Sequence, residues 1–151
     1  MTLTGDYRPP ATGWVREQLE TIDASGDTRA VDVNGMRVVV YTVRGAKSGL
    51  LRRVPLMRVE HDGAYAAVAS AGGAPKSPDW YHSMKANPRV DLQDGTETHE
   101  LVARELEGAE RDDWWARCVA AFPPYAEYQT NTDRLIPVFV CEPVDSGSAS
   151  E

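Results

Sequence analysis

The sequence predicts a mainly β chain with flanking helices, folded as an antiparallel barrel or an α+β sheet. Three observations carry this. Hydrophobic runs of strand length follow one another around tight-turn dipeptides, helical periodicity is confined to segments outside those runs, and no regular strand–helix alternation suggests βαβ layering. A dinucleotide-binding fold is thereby disfavoured. In a chain of 151 residues, 42% hydrophobic and 26% charged residues with four Trp are the composition of a folded globule rather than a disordered tail. At that length about 68–70% of the unfolded surface can be buried around one core.

Taken in order, Val15, Leu19 and Ile22 fall at i, i+4 and i+7, marking a helix between an N-cap at Thr12 and a stop at Gly26. Ala30 to Val33 and Met36 to Val43 flank Asn34-Gly35, the dipeptide that best tolerates the two positive-φ positions of a type I′ turn. Two more hairpins follow. One joins Leu51 to Glu60 and Ala64 to Ser70 around His61-Asp62-Gly63; the other joins Arg89 to Gln93 and Thr96 to Glu105 around Asp94-Gly95. Between them a short helix fits Pro78 to Ala86, capped by Ser77 and ended by Asn87-Pro88. Ala109 to Phe122 is helical through Trp115, Val119 and Phe122, Tyr125 to Thr132 makes a second short helix after Pro123-Pro124, and Ile136 to Cys141 is a last strand. The expected organisation is one domain over residues 11–143 between flexible ends at 1–10 and 144–151.

A net charge of -7 argues against a general nucleic-acid binder. Neither a secretory signal nor a membrane-spanning run is visible, so a cytoplasmic location is expected. Cys118 and Cys141 lack metal-ligand or disulfide spacing, and His61, His82 and His99 are scattered, so no metal site is expected. Acidic residues stop at Asp32 and resume at Glu60, while that interval holds Arg37, Arg44, Lys47, Arg52, Arg53 and Arg58. A solvated basic edge strand that guards against aggregation would explain this; so would a groove for an anion. Gly45 and Gly49 around Lys47-Ser48 favour the groove, because they let backbone, cation and hydroxyl approach an anion together. Arg52 and Arg53 must point to opposite faces, so only one of them can join that loop. A second acid-free loop, Ser70 to Pro78, feeds the N-terminus of the short helix, an end that also favours anions. Tyr125 and Tyr128, three apart and so on one helical face, offer phenols to a cavity wall. Trp114 and Trp115 read as core.

The chain resembles the deazaflavin-dependent nitroreductase family, oxidoreductases that use coenzyme F420. The matching stretches are Arg44-Gly45-Ala46-Lys47-Ser48-Gly49, Arg52-Arg53-Val54-Pro55-Leu56, Val68 to Lys76, Trp80-Tyr81, Ala86-Asn87-Pro88, and Tyr125-Ala126-Glu127-Tyr128-Gln129 running to Ile136-Pro137-Val138. They recur in family order across about two-thirds of the chain. The resemblance implies a split β-barrel of Greek-key, FMN-binding-like type. It also implies that Lys47, Ser48 and Arg52 hold the coenzyme's phosphate and glutamyl tail, that Pro55, Met57, Val68, Ala69 and Ser70 line its ring, and that Lys76 and Trp80 complete the groove. Tyr125 and Tyr128 would face the electron acceptor. Ala46 and Ala71 depart from relatives that carry a base there, and Met57 stands where an aromatic can occur. A reduced deazaflavin is itself a hydride donor, which accounts for the lack of a catalytic triad. The implied reaction is hydride transfer to a quinone, an activated alkene or a nitro compound, with Ser70 or Tyr125 donating a hydrogen bond to the acceptor oxygen.

Menaquinone is the acceptor suggested by family analogy alone. Membrane contact would be peripheral at most, and monomer and homodimer are both open. The competing readings are a split-barrel oxidoreductase using flavin mononucleotide and a non-catalytic carrier of coenzyme, tetrapyrrole or lipid, the carrier being favoured if Tyr125 and Tyr128 lie buried in core.

Overall fold

Met36–Arg44 is β-branched or aromatic at six of its nine positions, and such residues pack well on a pleated surface. In the computed structural model, which describes residues 3, 5–7, 13–33, 35–70 and 77–144, this stretch is a central strand. A helix, α1 (Gly13–Ser25), precedes it, with Gly26 at φ +73 as its stop. The expected cap at Thr12 and most of the expected flexible ends lie outside the described residues. The described part of the N-terminus is tied to the sheet: Leu51 N donates to Asp6 O at 2.8 Å, and Leu3 N to the Asp91 carboxylate at 2.9 Å.

The strands are β1 (Asp32–Val33), β2 (Met36–Arg44), β3 (Leu51–Met57), β4 (Glu60–His61) and β5 (Ala64–Val68). After α2 (Asp79–Ala86) come β6 (Arg89–Asp94) and β7 (Glu97–Glu105), then α3 (Gly108–Ala121), α4 (Pro124–Thr130) and β8 (Val138–Pro143). All strand pairs are antiparallel, in the order β1-β2-β6-β7-β8-β5-β4, with β3 joined to β2. The result is the curled, split barrel that the resemblance implies.

Alternation divides the side chains of β2 between two cores. Val38 and Val40 enter one core, and Val39, Tyr41 and Val43 the other. β5 divides the same way, with Ala66 and Val68 against Tyr65 and Ala67; so does β8, with Val138 and Val140 against Phe139 and Cys141. The first core is covered by Leu19 and Ile22 of α1, Trp114 and Cys118 of α3, and Tyr125 of α4. The second gathers Val90, Leu92, Leu101 and Ala103 from β6 and β7 and is covered by Trp80 and Met84 of α2.

Among the boundaries that differ from expectation, three have a visible cause. The strand expected over 51–60 breaks at Arg58-Val59, where the chain changes neighbours: Arg58 N still donates to Arg37 O, whereas Val59 O accepts from Ala66 N. Ser77 does not cap α2. A residue before proline is pushed into extended backbone, so Pro78 takes the cap position without a side-chain bond and the Ser77 hydroxyl turns to Arg134. The last strand begins at Val138 rather than Ile136, because side chains of Gln129 and Arg111, not a ladder, satisfy the Ile136 backbone.

Asp94 binds the β6–β7 turn to the barrel wall. Its carboxylate accepts from the Tyr65 phenol at 2.6 Å, Arg58 Nε at 2.8 Å and Arg37 Nη2 at 2.8 Å, and its side chain is only 9% exposed. Desolvation alone would raise its pKa, but bonds from Tyr65 and Arg58 outweigh it and hold the carboxyl below its ordinary value. A group more acidic when folded stabilises the fold above its unfolded pKa, and that contribution disappears as pH falls through the folded value. Asp94→Asn is therefore expected to cost about 1.5–3 kcal/mol at pH 7 in urea denaturation and to shallow the acid-side decline below about pH 4. Equal urea midpoints at pH 7 would show that the cluster adds nothing.

Candidate functional site

The β2–β3 connection is shaped by its glycines. Gly45 N donates to Leu50 O at 2.8 Å, Gly49 N to Gly45 O at 3.2 Å, and Leu50 N to the Ser48 hydroxyl at 3.1 Å. Gly49 sits at φ +72, and a Cβ on Gly45 would stand 2.6 Å from Ser48 Oγ. A side chain at position 45 would have to displace the Ser48 hydroxyl. The loop is held against α2 by Asn87, whose Nδ2 donates to the Arg44 carbonyl at 3.2 Å.

Between this loop and α2 runs a groove of about 490 Å³, lined among others by Lys47, Ser48, Arg52, Asp79 and His82. Its size falls within the range of small-molecule sites. The sequence candidates Lys47, Ser48 and Arg52 are thus brought together. Lys47 is exposed and makes no ion pair among the described residues. Arg52 and Arg53 do part as the strand period requires: Arg53 forms a two-pronged bond to Asp23 of α1 at 2.8 and 2.9 Å, while Arg52 faces the groove.

The basic interval as a whole is not one anion site. Arg37 and Arg58 are taken up by Asp94, and Arg53 by Asp23. The helix end expected to favour anions carries a counter-charge, Asp79, whose Oδ2 lies 3.5 Å from Arg52 Nη1. Trp80 does not line the groove: it is 7% exposed, in the second core, 6.4 Å from the Phe139 ring. Asp79, His82 and Ser83 represent α2 there instead. His82, one of the scattered histidines, is exposed and also lines the groove; its i, i+3 relation to Asp79 was the available signal.

The apolar candidates divide between the two cores. Met57 and Val68 lie in the first with Tyr125, and Tyr128 packs against it; Ala69 lies in the second. Pro55 is half-buried on β3, which pairs among the strands with β2 alone, a place where a missing N–H is tolerated. Ser70 is buried, and Lys76 falls outside the described residues. Tyr125 is more enclosed than a cavity wall requires. It is 4% exposed, with Phe122 edge-on at 5.0 Å, Tyr128 at 6.1 Å and Trp115 at 6.3 Å between ring centres. Pro123-Pro124 ends α3 and sends α4 back across it, which buries the first tyrosine of the pair and leaves Tyr128 half-buried. Burial pushes the Tyr125 phenol far up, so it stays protonated and able to donate.

Sequence reasoning missed the polar struts around these residues. Arg134 donates to the carbonyls of Ala69 and Ser70 and to the Ser77 hydroxyl. Gln129 donates to Arg134 O and accepts from Ile136 N. Gln129 lay inside a recognised motif, but nothing in the local pattern identified the partners.

A family model described as F420H(2)-dependent quinone reductase matches residues 14–143. An F420H(2)-dependent quinone reductase of Mycobacterium tuberculosis (strain H37Rv) is 37% identical over 101 residues, which are 64% of this chain and 66% of that relative. This match therefore spans just under two-thirds of that relative's length. A solved structure of an F420-H2 dependent reductase, FDR-A, is 61% identical and superposes with a TM-score of 0.67 over 70% of this chain and 93% of that one. Another, described as a domain-swapped dimer, is 58% identical with a TM-score of 0.70 over 85% and 97%.

The Arg52–Asp79 pair yields a test of the groove. Exposed ion pairs are worth about 0.2–1 kcal/mol, and the Asp79 side chain is 85% exposed. Asp79→Asn should therefore tighten binding of inorganic pyrophosphate by about two- to five-fold in calorimetry at low salt. Weaker or unchanged binding would mean that the anion does not meet Arg52.

Proposed function

The chain belongs to the F420H(2)-dependent quinone reductase family, and from that premise we propose that it is an oxidoreductase passing a hydride from reduced coenzyme F420 to a quinone, an activated alkene or a nitro compound. The observation that carries this reading is the groove itself. In an acidic chain, Lys47 stands without an ion pair among the described residues beside a hydroxyl, a second cation and a loop whose glycine at position 45 leaves room for that hydroxyl. That donor set fits a phosphate and a carboxylate-bearing tail.

Lys47, Ser48 and Arg52 would bind the tail. Pro55, Met57, Val68, Ala69 and Ser70 would bound the ring, with Lys76 and Trp80 supporting the site, Trp80 from the core beneath. When bound, the coenzyme supplies the hydride, and the chain's own task is to hold the acceptor close and stabilise the charge that develops on its oxygen. Ser70 and the tyrosines Tyr125 and Tyr128 are the hydroxyl donors for that oxygen. Among the described residues no helix is long and apolar enough to cross a membrane. We read the enzyme as cytoplasmic, with membrane contact peripheral at most, and menaquinone as its acceptor on family analogy alone. The dimeric relative supports a homodimer.

The enclosure of Tyr125 favours a second reading, a non-catalytic coenzyme carrier, because a phenol 4% exposed in the free protein must be uncovered to meet an acceptor. A panel of quinone, enone and nitroarene acceptors separates the two: binding without reduction of any of them would select the carrier.

Two outcomes are expected for the enzyme. Replacing Lys47 and Arg52 together by Ala should weaken binding of the oxidised coenzyme by about 100-fold or more, since each charge-assisted bond is worth about 1.5–3 kcal/mol. Fluorescence titration measures it, and unchanged affinity would discard the groove. Tyr125→Phe should lower kcat about ten-fold while leaving coenzyme affinity nearly unaltered; equal turnover would remove Tyr125 from the mechanism.

A further inference from the structure

Arg134 lies in the connection between α4 and β8, and its guanidinium reaches two segments distant in sequence. Nη2 donates to the carbonyls of Ser70 at 2.9 Å and Ala69 at 3.1 Å, just beyond the end of β5. Nη1 donates to the Ser77 hydroxyl at 3.2 Å, just before α2. A planar fork can serve these three acceptors together; a single ammonium cannot hold the same geometry.

The arginine is itself anchored. Gln129 Nε2 donates to Arg134 O at 2.8 Å, Gln129 Oε1 accepts from Ile136 N at 3.0 Å, and Arg134 N donates to Thr132 Oγ1 at 3.3 Å. From α3, buried Arg111 donates to Ile136 O, and Ala69 N donates to Pro137 O at 2.9 Å. The connection is thus fixed to α3 and α4, and Arg134 carries that anchorage across to β5 and α2. These are the elements that bear Ser70 on one side and the groove residues Asp79 and His82 on the other.

We propose that Arg134 is a positioning residue: it sets Ser70 and the start of α2 in fixed relation to the helix bearing Tyr125 and Tyr128, so that the coenzyme groove and the acceptor wall keep one geometry. The proposal rests on the coenzyme reading above. Arg134 acts through Ala69, Ser70 and Ser77, not by touching the acceptor.

The test uses the full chain as Arg134→Ala, Arg134→Lys and Ser77→Ala. It measures the affinity for oxidised coenzyme by fluorescence titration, kcat and KM with menadione, and amide hydrogen exchange over residues 69–70 and 77–86 without coenzyme. Arg134→Ala is expected to lose about ten-fold or more in kcat, because small misplacements of a positioned group are costly, and to exchange faster at those amides. Added guanidinium, kept well below denaturing concentration, should restore turnover to Arg134→Ala, while Arg134→Lys stays impaired. Ser77→Ala, which removes one acceptor and leaves the arginine in place, should show a smaller loss in the same direction.

Wild-type kcat and coenzyme affinity in Arg134→Ala, or full activity in Arg134→Lys, would overturn the proposal. So would a loss that guanidinium does not rescue. Should Arg134→Ala fail to fold, Ser77→Ala decides: unchanged turnover and exchange there refute the brace. A wild-type protein that neither binds coenzyme nor reduces menadione would instead sink the functional reading, while the exchange data would still report whether Arg134 holds the two segments.

Discussion

Burial of both faces of β2 is the constraint to which the rest of the molecule answers. A strand with water on one side needs a single covering layer. This one sends Val38 and Val40 into one core and Val39, Tyr41 and Val43 into another, so the chain must supply two layers. Helices α1, α3 and α4 furnish the first and α2 the second. The position of the groove is a by-product of that arrangement. Trp80 and Met84 are required in the second core, which lays α2 beside the β2–β3 loop, and the same helix then presents Asp79 and His82 to Lys47 and Arg52.

Charge is distributed by the same logic. Cations on the barrel wall are neutralised by acids from distant parts of the chain, Arg53 by Asp23 and Arg58 by Asp94, so that little net positive field remains there. Lys47, on a loop projecting from the sheet, escapes this pairing among the described residues. A local anion site in a chain of net charge -7 therefore depends less on how many basic residues the interval holds than on which of them the fold leaves unanswered.

The connections around the site are held by long polar side chains bonded to backbone carbonyls: Asn87 to Arg44, Arg134 to Ala69 and Ser70, Arg111 to Ile136. These side-chain donors satisfy backbone carbonyls in irregular segments where no ladder can reach. Arg111 does this while buried, with Nε unpaired among the described residues and its guanidinium over the Trp115 ring at 5.1 Å; desolvation lowers its pKa. Its ring contact offsets part of the cost of burying a cation without a carboxylate.

The sequence by itself determined what depends on neighbours a few residues apart. The hairpins around Asp62-Gly63 and Gly95, the helix through Val15, Leu19 and Ile22, most of the helix expected over Ala109 to Phe122, and the glycine-bounded loop at Lys47 all follow from short periodicities and backbone preferences that the chain carries locally. The opposite facing of Arg52 and Arg53 was legible for the same reason. Only the tertiary structure decided which cations would be neutralised, that Trp80 would be core while His82 lined the groove, that Tyr125 would be enclosed, and that Arg134 would bridge β5 to α2. Each of these turns on contacts between segments tens of residues apart, such as Arg134 with Ala69 and Ser77 or Arg58 with Asp94. Such contacts are set by strand register and by which helix covers which face, and those are properties of the assembled cores that no local window of sequence contains.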